Sequence, residues 1–172
     1  INSFDNAIKI NPNHAEIYNH KGYLLIQLKY YQLAIENWNK ALKIKPDYFE
    51  VYNNLGNVYI EIRKIDSALD CYNKAIKINP NFAEAYINRS IILNNKNNLD
   101  LALKDCNEAI KIKPNSAEAY NNRGIILSKL KKIESALESY KKAYLINPNL
   151  DFLHGSLIYC KMNLCEWDNL DN

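Results

Sequence analysis

The chain has 172 residues, of which 48% are hydrophobic and 24% are charged, a composition typical of a folded globular protein. Its formal net charge is only +3, with the lysines spread along the chain, so we predict no nucleic-acid partner. The apolar runs are much shorter than the roughly 20 residues of a membrane span, and no secretory signal opens the chain. We therefore expect a cytoplasmic protein with no membrane partner.

Cysteines and histidines are few and irregularly spaced. The 4 cysteines contain no CxxC pair, and none of the 3 histidines stands at zinc-site spacing from a cysteine or carboxylate. No nucleophile with a base at a recognisable spacing and no glycine-rich phosphate loop occur. We predict a chain without a metal or other cofactor and without catalytic activity of its own, in which Cys71 and Cys106 are small buried apolar residues.

One spacing runs through the whole sequence. All 5 prolines recur at one constant interval, at Pro12, Pro46, Pro80, Pro114 and Pro148. The same interval relates the aromatics Tyr18, Tyr52, Tyr86 and Tyr120, the small residues Gly22, Gly56, Ser90 and Gly124, and the alanines Ala34, Ala68, Ala102 and Ala136. Such a 34-residue period predicts stacked helix pairs, in which the small residues are spacers that let two helices approach closely.

The residues around each proline predict where helices end and begin. A proline lacks an N–H group and cannot continue a helix, so a helix should end just before each one. The residues that follow, Asn13, Asp47, Asn81, Asn115 and Asn149, are good N-caps. Three positions later, Glu16, Glu50, Glu84 and Glu118 would complete capping boxes, which predicts a structural role for them. Second helices are expected to begin near Gln32, Asp66, Asp100 and Glu134.

This order of aromatic, glycine, alanine, aromatic, alanine and proline resembles the tetratricopeptide repeat. The resemblance implies an all-α fold, a right-handed α-α superhelix or solenoid of antiparallel helix pairs. Repeats are predicted at 15–48, 49–82, 83–116 and 117–150, after the second helix of a truncated repeat at 1–14 and before a degenerate capping helix and tail at 151–172. An exposed face of Ile1, Phe4 and Ile8 on the truncated unit predicts self-association.

In this family the first helix of each pair lines a concave groove, so the resemblance implies a protein or peptide partner. The predicted peptide-binding residues are Asn19, His20, Tyr23, Asn53, Asn54, Asn57, Asn88, Arg89, Asn121, Asn122 and Arg123. Asn54, Asn88 and Asn122 form an asparagine column, and an Asn amide can pair with a peptide N–H and C=O together. The alternative is that asparagine is simply abundant in this chain. The cations of the chaperone-type carboxylate clamp are missing from the corresponding columns.

The tail carries a second resemblance. The segment Cys165-Glu166-Trp167-Asp168-Asn169-Leu170-Asp171 is similar to the junction between the last repeat and the catalytic domain of O-linked N-acetylglucosamine transferases. This resemblance implies that the chain is the substrate-recognition array of such a protein glycosyltransferase, without its catalytic domain. The alternatives are a free-standing adaptor and a co-chaperone-like scaffold for assembling protein complexes. For Trp167 a second role is expected, as an aromatic that plugs the open end of the last helix pair.

Overall fold

The computed structural model describes residues 2–164, and this part of the chain contains helices and no strand. It divides into two compact units, Ile1–Pro80 and Asn81–Asn172. The first unit contains α1 (Asn2–Ile10), α2 (Ala15–Gln27), α3 (Tyr31–Ile44), α4 (Phe49–Glu61) and α5 (Ile65–Ile78). The second contains α6 (Ala83–Asn95), α7 (Leu99–Ile112), α8 (Ala117–Lys129), α9 (Ile133–Ile146) and α10 (Leu153–Asn163).

The predicted helix pairs form, and the all-α fold of antiparallel pairs is confirmed. The first helices α2, α4, α6 and α8 begin at the same constant interval as the prolines, and so do the second helices α3, α5, α7 and α9. Each second helix ends two residues before a proline, as Ile44 does before Pro46. Between them, Lys45 leaves the helical conformation (φ −129°, ψ 88°), because a following proline disfavours it.

The predicted N-caps are wrong by one residue. The first helices are capped by His14, Tyr48, Phe82 and Ser116, whereas Asn13, Asp47, Asn81 and Asn115 lie in the preceding turns. Asn and Asp favour turns as well as caps, so residue type alone does not separate the two positions. Of these four caps, only the Ser116 hydroxyl accepts a hydrogen bond within its helix, from the Ala119 amide at 3.2 Å. The prediction of Asn149 as an N-cap is wrong by three residues, since the N-cap of α10 is Phe152.

The turn inside each pair has the same geometry four times. Lys29, Arg63, Asn97 and Lys131 have left-handed backbones, with φ between 59° and 61°. After α2, the Lys29 amide donates to the Ile26 carbonyl and the Tyr30 amide donates to the Leu25 carbonyl, both at 2.8 Å. This is the Schellman arrangement, formed here without glycine.

Inside three of the pairs, a glycine on the first helix faces an aromatic ring on the second. The contacts are Gly22 with Trp38, Gly56 with Tyr72, and Gly124 with Tyr140. A Cβ on Gly22 would lie 2.5 Å from the Trp38 ring, and one on Gly124 would lie 2.6 Å from the Tyr140 ring. Because these rings are buried, an added carbon would overpack the contact. The prediction that these residues are spacers is confirmed.

The α6–α7 pair fills the same place differently. Ser90 stands where the other pairs have glycine, and Cys106 stands where they have a ring. Both side chains are fully buried, and the Ser90 hydroxyl interacts with the Cys106 thiol. Two small residues therefore replace one ring and one glycine.

The described cysteines, Cys71, Cys106 and Cys160, are buried free thiols, as predicted for the first two. Burial raises the pKa of Cys71 and of Cys106 to about 11. These thiols therefore stay protonated near neutral pH, and the protonated form is a poor nucleophile.

The helix α1 is the element on which self-association is predicted. Phe4 and Ile8 are half-buried, and Ile1 lies outside the described residues, so self-association stays a prediction. As to membranes, no described helix combines the length and the apolar character that a span requires.

Candidate functional site

The predicted peptide-binding residues lie on the first helices of the pairs. In the first unit, Asn19, His20 and Tyr23 are on α2, and Asn53, Asn54 and Asn57 are on α4. In the second unit, Asn88 and Arg89 are on α6, and Asn121, Asn122 and Arg123 are on α8. Because α6 packs against α8, the second set belongs to two neighbouring helices.

Asn19 joins three elements of the first unit. Its amide oxygen accepts from the Trp38 indole N–H at 3.0 Å, and its amide nitrogen donates to the Tyr48 hydroxyl at 3.1 Å. The Asn54 amide nitrogen reaches the same oxygen at 3.5 Å, which is longer than an ordinary hydrogen bond. Asn19 is thus engaged in holding the fold, and Asn54 is the better placed of the two to bind a partner.

The other first-unit residues differ in accessibility. His20 is exposed, and the Tyr23 side chain is 60% exposed. Asn57 is exposed and accepts a hydrogen bond from the Tyr72 hydroxyl at 2.7 Å. Asn53 is buried and interacts within the fold, so it contributes to the helix contacts and not to an open surface.

A shallow cavity of about 350 Å³ lies beside Asn57 in the first unit. Its lining residues are Ile26, Gln27, Lys29, Tyr31, Asn57, Val58 and Glu61. Most of these residues lie at the ends of α2 and α4, so the cavity adjoins the exposed Asn57.

In the second unit the asparagines are half-buried. Asn88, Asn121 and Asn122 are all partly accessible, and Asn88 also interacts within the fold. Ile91 on α6 is exposed and Ile125 on α8 is half-buried. This surface therefore combines amides with aliphatic side chains.

The two predicted arginines are occupied by contacts inside their own pairs. The Arg89 guanidinium donates to both carboxylate oxygens of Asp105, at 2.7 Å from Nε and 2.6 Å from Nη2. Asp105 is only 3% exposed, and its carboxylate raises the pKa of Arg89. Arg123 donates from Nε to the Ser139 hydroxyl at 3.0 Å. Both arginines thus hold a first helix to its second helix.

A second shallow cavity, of about 600 Å³, lies in the second unit, between α8 and α10. Its lining residues are Ile125, Ser128, Lys129, Tyr140, Phe152, Gly155, Ser156 and Tyr159. The Tyr140 hydroxyl interacts with Ser128 and Ser156, while burial raises the pKa of Tyr140. The phenol therefore stays neutral at physiological pH, and the lining of the cavity combines apolar side chains with hydroxyl groups.

The chemistry of these surfaces is that of binding. Within residues 2–164, no group of three histidine, cysteine or carboxylate side chains is arranged to hold a metal ion. The groups that the surfaces offer are amides, hydroxyls, aromatic rings and aliphatic side chains, which suit recognition of a polypeptide.

Family models identify the repeat. Models described as tetratricopeptide repeat match residues 49–82 and 117–150, and a further one matches 71–104. A model described as TPR repeat matches 22–62 and 91–131. Together these matches span residues 22–150.

The chain belongs to the tetratricopeptide repeat family.

Several solved structures share the fold of this chain. YrrB, described as a TPR protein with an unusual peptide-binding site, is 21% identical with a TM-score of 0.78, over 96% of this chain and 85% of YrrB. PilF of Pseudomonas aeruginosa is 21% identical with a TM-score of 0.81, over 88% of this chain and 69% of PilF. The first TPR of Spaghetti (RPAP3), bound to the HSP90 peptide SRMEEVD, is 27% identical with a TM-score of 0.66, over 68% of this chain and 93% of that one. No curated protein sequence is significantly similar to this chain.

The tetratricopeptide frame explains why sequence reasoning missed the cavity on α10. Gly155, Ser156 and Tyr159 lie one repeat period after Asn121, Asn122 and Ile125, so they occupy groove positions of one further, degenerate repeat. Ile158 replaces the small residue in that repeat, so the obvious pattern ends at Leu150. Extending the repeat count into α10 would have found these residues.

Proposed function

We propose that this tetratricopeptide chain is a polypeptide-binding module, in which asparagines on the first helices of each unit bind the backbone of an extended polypeptide. The observation that supports this is the recurrence of partly accessible Asn54, Asn88 and Asn122 at one repeat position. A carboxamide offers a donor and an acceptor side by side, which matches the peptide group. Such contacts do not depend on the side chains of the partner.

The structural neighbours agree with a polypeptide partner. YrrB has a peptide-binding site, and the RPAP3 repeat domain holds an acidic HSP90 peptide. In this chain the corresponding groove positions carry asparagines, while Arg89 and Arg123 are engaged within their helix pairs. These positions therefore favour recognition of a peptide backbone over a clamp for several carboxylates.

The biological setting has two candidates. The finer proposal is a substrate-recognition array of an O-linked N-acetylglucosamine transferase-like enzyme, which rests on the resemblance at residues 165–171. That segment lies outside the described residues, and the family and fold comparisons fit a free-standing adaptor equally well. Translating the coding sequence beyond Asn172 separates the two, because only the transferase requires several hundred residues of nucleotide-sugar transferase pattern.

The backbone-binding proposal is tested with a triple variant, Asn54→Ala, Asn88→Ala and Asn122→Ala. An array of extended 12-residue peptides provides the probe, and the peptide captured most strongly by the wild-type chain is carried forward. Each lost amide contact is worth about 0.5–1.5 kcal/mol, so we expect at least about a tenfold rise in Kd by fluorescence anisotropy.

The chain offers a matched control with the same spacing. Asn39, Asn73 and Asn107 are exposed and recur at the same repeat interval on second helices, so their triple alanine variant should bind as wild type does. If the two triple variants bind equally well, the asparagine column does not hold the peptide. Circular dichroism melting of both variants shows whether a loss of binding is instead a loss of fold.

A further inference from the structure

Asparagine amides that hydrogen-bond to the peptide backbone give little selectivity, because every polypeptide has the same backbone. Selectivity requires a place where a partner's side chain is accepted or refused. We infer that the 600 Å³ cavity between α8 and α10 binds a large apolar side chain of the captured polypeptide, with a neighbouring acidic residue meeting Lys129. This inference rests on the proposed polypeptide-binding function and names the side-chain class that the module selects.

The cavity has the size and lining of an anchor site. Ligand-binding cavities in proteins typically measure about 300–1,000 Å³ and combine apolar walls with a few polar groups. Here Ile125, Phe152 and Tyr159 supply apolar surface, and Ser128 and Ser156 add hydroxyl groups to the lining. Buried aromatic or aliphatic anchors of this kind dominate the energy of many interfaces.

Gly155 makes the space. A Cβ at this position would have no neighbour within 4 Å, so no packing contact requires a glycine here. The same repeat position holds Asn19, Asn53, Ile87 and Asn121 in the other repeats. Glycine also weakens a helix compared with those residues. The missing side chain is thus unexplained by the fold, and it opens the cavity wall.

Phe152 lines the cavity with an apolar side chain that is exposed to water and that a bound partner would cover. Its side chain is 91% exposed, and its backbone is left-handed with φ 60°, which is rare for a bulky residue. The other repeats have a glutamate at this position, at Glu16, Glu50, Glu84 and Glu118. Tyr159 lines the same cavity and is 52% exposed, so the two rings supply an exposed apolar patch of the kind that marks an interaction site.

The charge beside the cavity defines the second half of the ligand. Lys129 lines the cavity, is exposed, and has no ion-pair partner among residues 2–164. Lys131 and Lys132 follow on the exposed turn, so the local charge is positive. A carboxylate next to the anchoring side chain complements this charge.

The probe is the tetrapeptide acetyl-Gly-Phe-Asp-Gly-amide, titrated into the ¹⁵N-labelled full chain. We expect chemical-shift changes centred on the amides of Ser128, Gly155, Ser156 and Tyr159, with a Kd on the order of millimolar for so small a ligand. An analogue with alanine for phenylalanine should bind at least about fivefold more weakly. An analogue with asparagine for aspartate should bind about two- to threefold more weakly.

Variants of the chain separate filling of the cavity from loss of fold. Gly155→Leu places a side chain in open space on a helix, so it should retain or raise the melting temperature. The same variant should bind the tetrapeptide at least about tenfold more weakly. Lys129→Gln should lower the affinity for the aspartate peptide to that for its asparagine analogue. The affinity for the analogue itself should not change. Tyr159→Ser removes a largely exposed ring and provides a second weakening variant if Gly155→Leu misfolds.

Several outcomes overturn the inference. Shifts that lie elsewhere, or that persist in both Gly155→Leu and Tyr159→Ser, place the ligand outside the cavity. Tighter binding in Trp167→Ala would identify the tail of the chain itself as the occupant. If the array peptide binds and depends on the asparagine column while the tetrapeptide causes no shifts, this inference fails and the proposed function stands. If the wild-type chain captures no array peptide, the proposed function fails.

Discussion

The helix pairs α6–α7 and α8–α9 have the same lengths and the same 34-residue frame, but they are held together by different side chains. In α8–α9, Gly124 packs against the Tyr140 ring, and Arg123 makes a single bond to Ser139. In α6–α7 the ring is absent, and Arg89 forms a two-pronged ion pair with buried Asp105.

The difference teaches which features of a pair are interchangeable. Both pairs keep a small residue on the first helix, since Ser90 and Gly124 each allow the helices to approach. The residues on the second helix vary. Cys106 takes the place of the Tyr140 ring, and Asp105, which pairs with Arg89, takes the place of Ser139, which accepts from Arg123. Three sets of variants, at Asp105, Gly124 and Cys106, test this comparison in order of decreasing effect.

The largest effect is expected for Asp105→Ala. Removing the carboxylate takes two charge-assisted hydrogen bonds from the mostly buried Arg89 guanidinium, and breaking a buried ion pair from one side costs about 3 kcal/mol. Urea unfolding measures this loss in the free energy of unfolding. The matched variant in α8–α9, Ser139→Ala, should cost about 1 kcal/mol, because it removes a neutral hydroxyl that accepts from Arg123 and donates to the Ser135 carbonyl.

The double variant Arg89→Leu with Asp105→Leu completes that test. It removes both charges together and leaves no unpaired ion, so we expect most of the stability to return. Equal losses in Asp105→Ala and Ser139→Ala would show that the ion pair does not distinguish the two helix pairs.

A smaller loss is expected for Gly124→Ala. The added Cβ would collide with the buried Tyr140 ring, and such overpacking costs about 1–3 kcal/mol. Gly155→Ala is the matched control, because its Cβ meets open space and alanine stabilises a helix by up to about 1 kcal/mol over glycine. If the melting temperature changed in the same direction for both alanine variants, the spacer role of Gly124 would be contradicted.

Combining Gly124→Ser with Tyr140→Cys rebuilds the α6–α7 contact inside α8–α9. The smaller thiol relieves the collision, so the double variant should be more stable than the sum of the two single losses predicts. Strict additivity would mean that the two positions do not share one contact.

The smallest effect is a pH dependence at Cys106. The folded thiol has a pKa of about 11 against an ordinary value of 9.0. Between these values the unfolded chain releases the proton and the folded chain keeps it, so the stability that is fully present below pH 9 is lost as the pH rises. The cost of Cys106→Ala in urea unfolding should therefore shrink by about 1 kcal/mol between pH 8 and pH 10. A cost that is constant with pH would show that Cys106 ionises equally in both states.

The sequence allowed prediction of the helix pairs because local rules set them. Proline ends a helix and glycine permits a close contact wherever they occur, so a 34-residue count located every first and second helix. The N-caps failed because His14, Tyr48 and Phe82 give no side-chain signal. In these repeats the turn and the following helix, not a cap, determine the start.

The candidate site was less predictable, because its residues depend on contacts between helices. The engagement of Asn19 by Trp38 and Tyr48 joins residues up to 29 positions apart. The pairing of Arg89 with Asp105 spans 16 positions. Neither spacing carries a helical or strand signature, so the repeat position of a residue does not tell whether its side chain is already occupied.

The left-handed turns inside the pairs are positions where the surface residues of one repeat can differ from those of another. Lys29, Arg63 and Lys131 adopt a conformation that glycine would adopt with less strain, and cations near the end of a helix interact favourably with its dipole. These side chains are exposed and take no part in the glycine–ring contacts. A repeat copied by duplication can therefore change its charge at this turn while its helix contacts stay the same, so the turns are where individual repeats acquire separate surface properties.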